Sequence, residues 1–130
     1  MKLGIAFTII LAAMLTSSPF NSASAQDRNR MIRIARLVID SLQLQPYMAA
    51  LKEHAETAVR EEPGVIMLYA VAEKNLPTHI TVFEIYADEE AYKKHLQAPH
   101  FLKYKTTTKN MVKSLELMET VPIALESKMR

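Results

Sequence analysis

Residues 78–104 read THITVFEIYADEEAYKKHLQAPHFLKY, and the apolar period of this stretch changes at Asp88. Before that point Ile80, Val82, Glu84 and Tyr86 alternate with His79, Thr81, Phe83 and Ile85, the two-residue period of a strand. β-Branched and aromatic residues dominate, as a pleated, half-buried surface prefers. Asp88 then offers a helix-capping oxygen, and Glu89 and Glu90 place negative charge in a first helical turn. Ala91 and His95 lie four apart on one side of that helix, together with Tyr92 and Leu96. Pro99 interrupts it and can open a second helical segment carrying His100, Phe101 and Tyr104. A strand and the helix after it thus carry a carboxylate, tyrosines and two histidines, so a site is expected here.

Upstream, Met31–Ile39 reads as a first strand that is apolar on both faces. Ile32, Ile34 and Val38 share one face with Arg36, while Arg33 shares the other with Met31, Ala35, Leu37 and Ile39. Pro46 fits the first turn of a helix running to about Glu62, with an apolar stripe of Tyr47, Leu51, Ala55, Ala58 and Val59 and His54 at its edge. Glu61-Glu62-Pro63-Gly64 ends it, Pro63 by stopping the helix and Gly64 by accepting the backbone of the turn. Val65–Glu73 is the second strand, with Val65, Met67, Tyr69 and Val71 on one face, and residues 74–77 lead by a hairpin into the strand quoted above. Downstream, the helix is expected to run to about Met111, with Phe101 and Tyr104 inward. A fourth strand follows over residues 114–121, ended by Pro122, and residues 123–130 form a tail.

The order is β-α-β-β-α-β, the ferredoxin-like arrangement of an α+β sandwich: a four-stranded antiparallel sheet with helices on one face. Its other face would remain apolar, so two copies are expected to pair sheet to sheet as a homodimer.

The first 25 residues stand apart. Lys2, an apolar run from Leu3 to Leu15 and the small-residue pattern Ala23-Ser24-Ala25 predict a signal peptide cut before Gln26, hence a periplasmic or secreted protein. Cleavage leaves one domain over residues 26–122 plus the tail. It also removes Lys2 from a set of 16 basic residues opposed by 14 acidic ones, so the mature chain is nearly neutral. A nucleic-acid partner, which would want a clustered basic face, is not expected, nor is a membrane partner after cleavage. The absence of cysteine excludes disulfides, thiolate chemistry and cysteine-ligated zinc. The four histidines lack the spacing of a metal site, and two glycines cannot build a phosphate loop or a dinucleotide fingerprint, so neither metal nor cofactor is expected.

Glu62-Pro63-Gly64-Val65, Phe83-Glu84-Ile85-Tyr86, and Ala91-Tyr92 followed by His95-Leu96 and Pro99-His100-Phe101 resemble the antibiotic biosynthesis monooxygenase domain, most closely its quinol monooxygenases. The resemblance spans Met31 to Val121. It implies a dimeric α/β barrel with a small-molecule cleft between sheet and helices in each subunit. It places Glu84 and Tyr86 at the acid and aromatic positions of the third strand, His95 at the histidine of the second helix, and Pro99-His100-Phe101 at the turn after it. Haem-degrading members use a tryptophan where Tyr86 stands and an asparagine in the first strand, and this chain has neither.

These residues support an exported, cofactor-free monooxygenase acting on an electron-rich aromatic such as a quinol. His95 would be the base, with Glu84 orienting it or pairing with Arg36, and Tyr69, Tyr86, Tyr104, His100 and Arg36 would hold the substrate. Each also has a structural reading: a capping histidine for His95 and His100, a buried ion pair for Glu84, and core tyrosines with one wet end. His54 and His79 are expected at the surface or an edge. A non-catalytic binding or stress-protective dimer, or a hydroxyketone isomerase using the same base, fits the same inventory.

Overall fold

The computed structural model of the protein describes residues 27–128; the expected leader lies outside the described residues. Four antiparallel strands, β1 (Met31–Ile39), β2 (Val65–Glu73), β3 (Leu76–Tyr86) and β4 (Val112–Thr120), form one sheet in the order β2-β3-β1-β4. Three helices complete it: α1 (Leu44–Glu61), α2 (Glu89–His95) and α3 (Pro99–Thr108). This is the ferredoxin-like α+β arrangement expected from the order of elements. Among the described residues no helix is long and apolar enough to cross a membrane.

Local chemistry sets the helix ends. Asp88 Oδ1 accepts the N–H of Ala91 at 2.8 Å, while Asp40 Oδ1 accepts the N–H of Leu42 at 3.0 Å in the 3-10 turn before α1. α3 starts on Pro99, whose missing N–H costs nothing in a first turn, and ends at Thr108, one turn short of the expected Met111. β4 accordingly begins at Val112, two residues early.

The strand registers decide which residues face the helices. Arg33, Ala35 and Leu37 of β1 stand opposite Glu84, Val82 and Ile80 of β3 and, on the other side, Glu119, Leu117 and Leu115 of β4. These share the inner face, where Ala35, Leu37, Ile39, Ile80, Val82 and Tyr86 pack with Tyr47, Leu51 and Ala58 of α1 into the core. The outer face carries Ile34, Arg36 and Val38 with Phe83 and Thr81 opposite them.

One expectation about a strand and one about the turn need correction. In β2 the register shifts between Val65 and Met67, so Leu68 rather than Met67 continues the face of Val65. One extra residue in a ladder inverts every side chain beyond it, and Met67, Tyr69 and Val71 therefore lie on the outer face. Gly64 is required for a different reason from the one anticipated. Its φ is not positive, but a Cβ there would stand 2.5 Å from the Cβ of Ala91. The missing side chain lets α2 sit directly on the turn after α1, held by the Ala87 N–H donating to the Gly64 carbonyl at 2.8 Å.

Candidate active site

A cavity of about 100 Å³ lies between the inner sheet face and the helices. Arg33, Val82, Glu84 and Tyr86 form its floor, Tyr92 and His95 of α2 and Phe101 and Tyr104 of α3 its wall, and Leu115, Leu117 and Lys105 its mouth. Of the residues expected at the site, Glu84, Tyr86, His95 and Tyr104 are brought together here.

His95 ends α2 and is 1% exposed. Its Nδ1 lies 2.7 Å from Oε2 of Glu62, the residue that follows α1, and that same oxygen lies 2.6 Å from Nε2 of His100. A carboxylate can only accept, so both rings donate to it, and His95 carries its proton on Nδ1. Its Nε2 is left as a lone pair, buried and without a partner among the described residues. Glu62 does not line the cavity, so the ring is tied from behind while its body faces the cavity. Burial lowers the proton affinity of His95, with Glu62 opposing that trend, so the imidazole rests neutral.

Glu84 does not orient His95, contrary to one expected role; Glu62 does. Burial drives the Glu84 carboxyl up to about 7, partly offset by Tyr86 and Arg33. The Tyr86 hydroxyl is buried without an aligned hydrogen bond, and burial followed by the charge of Glu84 raises it well above the ordinary phenol range. Tyr47 and Tyr104 share a 2.6 Å hydrogen bond between hydroxyls, and burial raises both. The tyrosines thus remain O–H donors.

The remaining expected residues fall elsewhere. Arg36 is on the outer face, exposed, opposite Thr81 and Glu116, so neither its substrate contact nor its pairing with Glu84 can form. Its place is taken by Arg33, three residues earlier and on the opposite face. Tyr69, turned out by the β2 shift, stands opposite Phe83 and is 48% exposed. His100 opens onto a separate surface depression with Glu53, Lys103 and Thr107, and serves the site through Glu62. Phe101 lines the cavity and is only partly buried, instead of filling the core. His79 is half-buried on the outer face.

His54 departs most from expectation: it is 4% exposed and stands at the centre of the aromatic cluster. It stacks on Tyr104 at 4.8 Å and 11°, with His95 at 5.1 Å and Phe101 at 5.8 Å. Burial, then the two neighbouring histidines, pulls it down to about 4, so it too is neutral. The residues actually buried on α1 are Tyr47, Leu51, His54 and Ala58, spaced four, three and four apart, a helical seam that was present in the sequence. Glu62 gave no comparable linear signal. The ligand atoms of Glu62, His95 and His100 lie within 4.8 Å of one another, a set able to hold a divalent cation. With both rings donating to Glu62, however, no imidazole lone pair faces that position.

The fold recurs in solved structures. A protein from Bacteriodes thetaiotaomicron VPI-5482, provisionally named an antibiotic biosynthesis monooxygenase, is 51% identical with a TM-score of 0.77, the match covering 80% of this chain and 99% of that one. A protein of Lactobacillus acidophilus NCFM, provisionally named a monooxygenase, is 26% identical with a TM-score of 0.70, over 73% of this chain and 45% of the longer one. One from Nitrosomonas europaea, at 16% identity and a TM-score of 0.69 over 73% of this chain and 91% of its own, shares the fold alone. No curated protein matches the chain. The profile of the antibiotic biosynthesis monooxygenase family matches residues 30–107, from β1 through nearly all of α3 and hence every residue of the Glu62–His95–His100 cluster. On that match and the 51% identity together, the chain belongs to the antibiotic biosynthesis monooxygenase family.

Proposed function

We propose that this chain is a cofactor-independent monooxygenase for a small electron-rich aromatic of the quinol class. The observation that carries the reading is the fixed tautomer of His95. Glu62 holds the proton on Nδ1, and the free Nε2 lone pair belongs to a buried ring that lines the cavity. A quinol hydroxyl seated there gives its proton to Nε2, and the imidazolium formed is stabilised by the Glu62 carboxylate behind it. The aromatic anion is then reducing enough to pass electrons to molecular oxygen. One oxygen atom enters the ring and the other leaves as water; for hydroquinone itself the product would be hydroxybenzoquinone. Tyr86 and Tyr104, held as neutral donors by burial, can hydrogen-bond the oxygen substituents as charge develops.

Oxygen uptake by the purified protein over a panel of quinols tests this. His95→Ala should lower turnover by roughly 10²–10⁴-fold, the usual range for loss of a positioned base. Uptake unchanged by that substitution, or absent with every quinol, would remove the proposal.

We also infer that two copies pair through their outer sheet faces. Ile34, Val38, Phe83 and Met67 are half-buried there, Val71 is 64% exposed, and the described helices pack on the inner face. Light scattering at micromolar concentration should return twice the chain mass; a monomer mass would end this inference.

A further inference from the structure

Arg33 is a cavity residue whose chemistry the proposed reaction leaves unused. It is 9% exposed, and its guanidinium lies over the Tyr92 ring at 4.6 Å. A guanidinium has five N–H donors. Among the described residues Arg33 makes one side-chain hydrogen bond, from Nη1 to Glu119 at the long distance of 3.5 Å. The Glu119 side chain is 76% exposed and lies outside the cavity lining, so it holds the guanidinium weakly. A buried cation with this few partners is costly unless something else supplies oxygen acceptors, and a guanidinium fork matches a carboxylate in shape.

The surroundings indicate the shape of what would bring those acceptors. The volume of about 100 Å³ lies below the roughly 150 Å³ of an apolar cavity that holds benzene, so one ring, extended toward the open mouth, is what fits. Tyr92 and Tyr86 link Arg33 to His95 through a run of contacts along the cavity. Tyr86 contacts Tyr92 at 5.2 Å and His95 at 5.3 Å between ring centres. Glu84 stands directly across the strand pair from Arg33.

We propose that Arg33 is an anion-binding residue and that the substrate is a single-ring phenol bearing a carboxylate, which sits on Arg33 while the ring hydroxyl faces His95. The orientation rests on the proposed base; the binding of the carboxylate does not. The arriving carboxylate displaces Glu119 into solvent. Glu84, in its protonated form, donates to the same anion instead of repelling it, consistent with burial raising its carboxyl to about 7.

The test compares two ligands that differ only in the carboxylate, 2,5-dihydroxybenzoate and hydroquinone, titrated calorimetrically without oxygen. The wild-type protein should bind the dihydroxybenzoate about 10- to 100-fold more tightly, the scale of a charge-assisted pair in a buried site. Arg33→Gln should abolish the preference. Lys105→Gln, which neutralises the exposed cation at the cavity mouth, should retain the preference. Equal wild-type affinities, a preference that survives Arg33→Gln, or one lost in Lys105→Gln would each overturn the proposal. Should Arg33→Gln not fold, the wild-type ratio and the Lys105→Gln result still decide it. Oxygen uptake is read separately. A carboxylate preference without oxygen consumption removes the monooxygenase reading alone, and oxygen consumption without the preference removes this one alone.

Discussion

Glu84→Gln should stabilise the protein in alkaline solution and do little in acid. In the fold the Glu84 carboxyl is held at about 7 against an ordinary value of 4.5, with burial the leading cause. Below pH 4.5 both folded and unfolded states carry the proton, and the group costs nothing. As pH rises toward 7 the unfolded chain ionises freely while the folded one resists, so stability is lost across that window and stays lost above it. Each tenfold difference in proton affinity is worth about 1.4 kcal/mol, which sets an upper limit of about 3 kcal/mol for the interval. Part of the carboxyl faces the cavity, so roughly 1–3 kcal/mol is the expected penalty at pH 8.5. Glutamine reproduces the shape of the protonated acid without the penalty. Denaturant midpoints at pH 4.5 and 8.5 should therefore show Glu84→Gln within about 0.5 kcal/mol of wild type in acid and more stable in base by roughly 1–3 kcal/mol, or some 5–20 °C in thermal midpoint. Contributions from other titrating groups cancel in the comparison of the two proteins at each pH. A stabilisation of the same size at both pH values, or a loss at pH 8.5, would refute the assignment of burial as the dominant cause.

His54, buried neutral and pulled down to about 4, acts in the opposite direction: as pH falls from 6.5 the unfolded chain takes up a proton that the fold refuses. Stability should fall from pH 6.5 toward 4, and His54→Phe should flatten that limb of the pH dependence measured by urea unfolding. Gly64→Ala should cost about 1–3 kcal/mol by forcing Ala91 away. It should also lower turnover by more than the unfolded fraction explains, because Glu62 and His95 are brought together across that contact; an unchanged urea midpoint would show that the turn yields freely.

The alternation from Ile80 to Tyr86 and the Asp88 cap were legible because each rests on residues a few positions apart: pleat, cap and helical turn are local rules. The antiparallel order followed from the number and spacing of elements. The inner and outer faces of β1 were not legible, because Ile32, Ile34 and Val38 are as apolar as Ala35, Leu37 and Ile39. Only the register against β3 and β4 shows that the helices cover the Arg33 face. That one-residue choice moved the cavity arginine from Arg36 to Arg33. The single register shift in β2 had the same effect on Tyr69, since a strand read at strict period two cannot announce the residue where the ladder slips.

Glu62 was hidden for a different reason, and its case bears on the chemistry. In the linear sequence it is one of two glutamates before Pro63-Gly64, where a solvated helix end is the natural reading. Its role depends on Gly64, which allows α2 to approach the turn so closely that His95, 33 residues away, reaches the carboxylate at 2.7 Å. The α2–α3 junction then adds His100 at 2.6 Å to the same oxygen. A carboxylate that accepts one buried and one half-buried N–H cannot rotate away without orphaning both, so the position of His95 Nε2 is set jointly by the turn and by two helices. The hydrogen bond that sets the His95 tautomer therefore lies outside the cavity, while His54, Tyr86 and Phe101 pack against the same ring from within it. In the proposed reaction, substrate choice would be carried by Arg33, Glu84 and Tyr86 on the cavity floor, and the tautomer by Glu62. Substitutions at Glu62 should accordingly change kcat for every substrate alike, whereas substitutions at Arg33 should change which substrate is bound.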